Sequence, residues 1–95
     1  METELIPIQE FAKHHSIEVS FIASLSEYGL IEIITVGETQ YVDEERIKDL
    51  EQMVRLHYGL EINLEGIDAI SQLLQRVGSL QQEIVTLKNK LRLHE

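Results

Sequence analysis

The feature that most constrains this chain is a heptad repeat in its C-terminal third. Ile70, Val77, Ile84 and Leu91 recur every seven residues, and Leu73, Leu80 and Leu87 each fall three residues after one of them. Read as positions a and d of a helix, all seven are apolar. Arg76, Gln81, Glu83, Lys88 and Lys90 border them with polar groups. Leu74 widens the stripe near its start. Asn63 suits the N-cap of this helix, and Glu65 sits in its first turn, where the helix dipole favours negative charge. A helix folded onto its own domain also carries an apolar stripe. An unbroken seam over three heptads predicts a partner helix instead. β-branched residues at a with Leu at d suit two strands, a rule drawn from parallel pairs. The expectation is a homodimer formed through Ile70, Leu73, Val77, Leu80, Ile84, Leu87 and Leu91. The chain divides accordingly into a head, residues 1–62, and a coiled-coil helix, residues 63–95.

Shorter elements are expected in the head. Pro7 marks the place where an extended segment gives way to a helix carrying Ile8, Phe11 and Ala12, with Ile17 after a turn. Phe21, Ile22, Leu25 and Tyr28 form one face of a second helix. Gly29 ends it as a left-handed cap, and Leu30 packs back on its last turn. Two such helices joined by a tight turn read as a helix-turn-helix. The β-branched run Ile31–Val36, the turn Gly37-Glu38 and the return Thr39–Val42 predict a hairpin wing. Asp43 then caps a third helix, with Glu44 and Glu45 in its first turn. Ile47, Leu50, Met53, Val54 and His57 lie on its inner face, and Gly59 stops it. The fold class expected is mainly α: a winged helix-turn-helix with a small β-hairpin wing, followed by a long dimerisation helix.

Charge separates the two parts. The chain of 95 residues has a net charge of −9. Residues 1–45 hold ten acids and a single base, Lys13, and so carry all of it, while residues 46–95 balance seven acids against seven bases. A field of that sign repels phosphate and favours a basic protein partner, although acidic surfaces also serve solubility. A DNA-reading helix needs Lys or Arg for its phosphate contacts. The second helix, Glu18 to Tyr28, has none, and neither does the wing through Val42.

Little in the sequence points to catalysis or ligand chemistry. There is no cysteine, which removes disulfides and thiolate sites and suits a reducing cytoplasm. His14, His15, His57 and His94 share no metal-ligand spacing of three or four residues. His14-His15 reads as a pair at a turn, and His57 as a partly buried structural residue. No Gly-x-Ser-x-Gly elbow surrounds Ser16, Ser20, Ser24 or Ser26, and five glycines form no phosphate loop. We therefore expect no enzyme, cofactor, metal or small-molecule ligand. No apolar run reaches the roughly 18 residues of a membrane span. The start Met1-Glu2-Thr3-Glu4 lacks the layout of a signal peptide.

Two sets of residues carry a family resemblance. Ile8-Gln9-Glu10-Phe11-Ala12, Tyr28-Gly29-Leu30-Ile31 and Tyr41-Val42-Asp43 resemble the N-terminal domain of MerR-type regulators. Gly59 through Ile70, with the tail Leu80 through Lys88, is similar to the CbpM-type chaperone modulators, which are themselves MerR-like. The resemblance spans nearly the whole chain. It implies binding to the J-domain of a CbpA-type co-chaperone and restraint of its work with Hsp70. The alternative it leaves is a MerR-type DNA-binding transcriptional regulator. Such regulators usually carry an Arg-Tyr pair on the recognition helix, where this chain has Val19 through Ser24. They have arginine where Gln40 stands and glycine where Ser16 stands. The J-domain surface that engages Hsp70 is basic, so an acidic cover would compete with that contact. Glu44, Glu45 and Asp49 form one candidate patch; Glu10, Glu18 and Glu27 form another. MerR-like dimers imply antiparallel long helices, whereas the a/d chemistry leans the other way.

Overall fold

A computed structural model describes residues 4–94. Met1-Glu2-Thr3 and Glu95, to which the reading of the N-terminus and the last residue of the coiled-coil segment belong, lie outside them. The elements run β1 (Leu5–Pro7), α1 (Ile8–His15), α2 (Val19–Glu27), β2 (Ile34–Val36) and β3 (Thr39–Asp43). A 3-10 turn (Glu44–Arg46), α3 (Ile47–Val54), a π-helical turn (Arg55–Gly59) and α4 (Leu64–Leu93) follow.

Both helices of the helix-turn-helix end in the same way. After α1, Ser16 adopts left-handed backbone at φ 55°. There the Ile17 N–H donates to the Ala12 carbonyl at 2.9 Å, and the Ser16 N–H to that of Lys13 at 3.3 Å. After α2, Gly29 does the same at φ 75°. The Leu30 N–H donates to the Leu25 carbonyl at 2.9 Å, and the Gly29 N–H to that of Ser26 at 3.0 Å. This paired closure satisfies carbonyls that a helix end would leave open, and it turns Leu30 back toward the core.

The sheet is three-stranded and antiparallel, in the order β1-β3-β2. The wing hairpin turns at Gly37-Glu38 and pairs Val36 with Thr39 and Ile34 with Tyr41. β1 closes on the other side of β3, with Ile6 opposite Val42. Proline at the end of an edge strand removes no ladder hydrogen bond that the sheet needs. The first wing strand is shorter than the expected Ile31–Val36. Ile31 is instead buried and Ile33 packs against the core, so these residues plug the head before the chain is free to pair.

Asp43 caps as expected, accepting from the Glu45 N–H at 2.9 Å. The helix that follows is less regular than its apolar pattern implies: a 3-10 turn opens it and a π-helical turn closes it. The Ile62 N–H reaches back to the Leu56 carbonyl at 3.0 Å, past Glu61 in left-handed backbone at φ 56°. The wide turn lets His57 Nδ1–H donate to the Ile62 carbonyl (2.9 Å) and the ring stack on Phe21 with centroids 4.5 Å apart.

The core lies where α1, α2, β3, α3 and the first turns of α4 meet. Ile8, Phe11, Ile22, Leu25, Val42, Leu50, Met53 and Ile67 are buried there. Each fully enclosed Ile or Leu contributes roughly 1.5–3 kcal/mol relative to exposure. α4 shares in this core only at its base, through Leu64 and Ile67. The Asn63 side chain caps it, accepting from the Gly66 N–H at 2.8 Å. Tyr28 fastens the base to α2 by donating to Glu65 at 2.7 Å. From Leu73 outward the helix leaves the head. The molecule is accordingly long, 58 × 35 × 21 Å with a radius of gyration of 16.9 Å. A compact chain of this length has roughly 12 Å.

Candidate protein-binding surfaces

Three surfaces have the residue types that binding requires: the stripe of α4, the outer face of α2 with the wing, and a groove between α1 and α3. On α4, Leu73, Val77, Leu80, Ile84, Leu87 and Leu91 are all exposed, from 47% at Val77 and Leu80 to 66% at Leu91. Ile70 is half-buried at the root. The helix therefore does not fold onto its own head, and six large apolar side chains in one register face solvent. Leu74 and Val85 are exposed beside that register. An exposed apolar strip that runs along a helix in one register marks an interaction surface.

From Glu18 through Val42 every charged side chain is acidic, and Glu18, Glu27, Glu32 and Glu38 are exposed. Ser20 donates to Glu18 at 3.2 Å, and the Glu18 N–H to the Tyr58 hydroxyl at 3.4 Å. Val19 is borderline exposed, and Ala23 and Ser24 are half-buried. With these elements a winged helix-turn-helix reads a DNA groove, and neither α2 nor the wing hairpin carries a Lys or Arg, although Arg46 lies in one concavity with Glu32.

The third surface was not legible as a unit. Ile6, Glu10, Phe11, His14, His15, Glu44, Ile47, Lys48 and Glu51 line an open groove of about 630 Å³. Pairing of β1 with β3 sets α1 beside the segment that follows β3, and the Glu44 N–H donates to the Glu4 carbonyl at 2.9 Å. Glu10 and Glu44, which sequence reasoning placed in separate acidic patches, therefore share one groove. His15 crosses it. Its Nδ1 lies 3.1 Å from the Phe11 carbonyl and its Nε2 3.2 Å from Glu51 Oε2, with the ring stacked 4.0 Å from Phe11. That contact ties α1 to α3. Of the other candidate acids, Asp49 pairs with Arg46 at 3.3 Å, and Glu45 lines a different concavity with Glu32 and Arg46. Glu18 lies beside Tyr58 and Glu27 at the far end of α2. His14 and Glu51 were the signals available in the sequence for the groove, but only a long-range strand pairing brings them to it.

Among the described residues, no three His, Asp or Glu side chains gather as a metal ion would require. No helix of the described residues is long and apolar enough to cross a membrane.

The helix-turn-helix, wing and projecting helix define a winged-helix regulatory domain with a long C-terminal arm. The chain belongs to the MerR family: the family model described as MerR HTH family regulatory protein matches residues 6–89. No curated protein and no solved structure matches the chain.

Proposed function

We propose that this MerR-family chain is a non-catalytic, homodimeric modulator that binds the J-domain of a CbpA-type co-chaperone and inhibits its cooperation with Hsp70. The observation that carries the reading is the face of α2 and the wing. Where a DNA-binding relative needs cations it presents Glu18, Glu27, Glu32 and Glu38. A surface of that sign is repelled by phosphate, and the negative field of the whole head favours a basic partner. The exposed a/d register of α4 supports self-association through Leu73, Val77, Leu80, Ile84, Leu87 and Leu91. The resemblance of residues 59–70 and 80–88 to CbpM-type modulators supplies the identity of the basic partner.

A second reading, a DNA-binding transcriptional regulator, is favoured by the family match itself. Two measurements on one preparation separate them: capture of the J-domain protein from the same genome, and a gel shift against DNA at several salt concentrations. Capture of the co-chaperone with loss of its stimulation of Hsp70, and no DNA shift, is the expected result. Salt-sensitive DNA binding without co-chaperone capture sinks the proposal.

A further inference from the structure

We infer that the groove between α1 and α3 is a docking site for a basic amphipathic helix of a partner protein. The proposal deepens the reading above, since a J-domain presents such a helix, but it can stand or fall separately.

The groove has an apolar floor and acidic banks. Phe11 lies buried at its base beneath the stacked His15 ring, and Ile6 and Ile47 are the half-buried apolar side chains that line it. On one bank Glu10 projects from α1; on the other Glu44 projects from the 3-10 turn, and both are exposed. Among the described residues, neither carboxylate has an ion pair or hydrogen bond of its own. Glu51, by contrast, is engaged by His15. His14 and Lys48 are the other basic groups on the rim. An open apolar trough with an unspent carboxylate on each side matches a helix that presents an apolar stripe flanked by Lys or Arg. A nucleic acid would be repelled by the same pair.

Lys48 provides the sharpest test. It is exposed and stands between Glu44 and Glu51 on the same bank. Its ammonium opposes a cationic guest, so Lys48→Glu should tighten binding, a gain that misfolding does not produce.

The experiment uses the full chain and two probes: the J-domain, and a synthetic amphipathic helical peptide of leucine and lysine. Affinity is measured by titration calorimetry, and the site is mapped by amide chemical shifts. For the peptide, shifts should centre on Ile6, Glu10, Glu44 and Ile47. The pair E10K/E44K should weaken both probes about tenfold, and K48E should tighten both about fivefold. The control pair E61K/D68K changes net charge equally, away from the groove and from α2 and the wing, and should alter affinity by less than about twofold.

Peptide shifts confined to α4, or equal losses from the groove pair and the control pair, would overturn the groove. If the J-domain binds the parent protein but ignores the groove variants, the groove is wrong and the co-chaperone reading survives. If the J-domain does not bind while the peptide still follows Glu10, Glu44 and Lys48, the groove stands and the co-chaperone reading falls.

Discussion

Tyr28 and Glu65 shift each other's titration. The hydrogen bond from the phenol holds the Glu65 carboxyl below its ordinary range, helped by its own backbone N–H. The same bond holds Tyr28 above its ordinary value, with partial desolvation and the charges of Glu65 and Asp68 adding to it. A carboxyl depressed by folding stabilises above its unfolded pKa, and that contribution is lost as pH falls through the folded value. A phenol raised by folding stabilises below its unfolded pKa of about 10, and that contribution is lost as pH rises through the folded value. The tie between α2 and α4 thus acts across the neutral range and weakens at both extremes. Glu65→Gln should bring the alkaline midpoint of Tyr28 down toward that of an ordinary tyrosine, as followed by ring-carbon chemical shift. An unmoved midpoint would mean that the bond is absent in solution. Ser16 makes a second residue-scale prediction. An L-residue in left-handed backbone is strained where glycine is not. Ser16→Gly, at an exposed site whose side chain makes no hydrogen bond among the described residues, should stabilise the head by about 0.5–1 kcal/mol in urea unfolding. A lower midpoint would show that the turn does not need the left-handed conformation.

Within the helices, two glycines of α4 should respond in opposite senses. A Cβ on Gly66 would meet the Ile62 side chain at 2.6 Å, because Ile62 folds over the first turn. Gly66→Ala should therefore destabilise the base of the arm by about 1–3 kcal/mol. A Cβ on Gly78 meets nothing within 4 Å. Gly78→Ala should raise stability by up to about 1 kcal/mol, since glycine is a poor helix former. Thermal unfolding of the two variants checks both signs. The elements themselves were legible to different degrees. Gly29, Asp43 and Asn63 each announce a helix boundary, because capping chemistry is local. The seam of α4 shows in its seven-residue period. By contrast, the pairing of β1 with β3 joins residues nearly forty positions apart, and no local pattern encodes it. The same pairing brings Glu10 to Glu44, so the groove stayed hidden while both residues stood out separately as acids. Ile31 and Ile33 misled in another way: β-branching marks them for a strand, but burial in the core claimed them first.

Across the whole molecule, charge and shape are divided between head and arm. The negative excess lies within residues 1–45, and the arm beyond carries the apolar seam. Val77→Lys with Ile84→Lys would place cations in that seam while leaving the core of the head untouched. Sedimentation should then report a monomer with an unchanged head, seen as preserved tyrosine and core methyl resonances. A dimer that persists would put the interface elsewhere. The thirty residues of α4 span about 45 Å, several Debye lengths at physiological salt. Two arms paired head to tail would hold the acidic heads at opposite ends, beyond each other's repulsion; paired side by side, they would bring like charges together. The rigid arm then becomes a ruler. A dimer set on it would offer two grooves at a fixed separation, and a partner that is itself two-headed, with matching reach, would then meet the second groove at high effective concentration once the first is filled. Lengthening or shortening α4 by whole heptads would leave each groove intact and yet change the avidity.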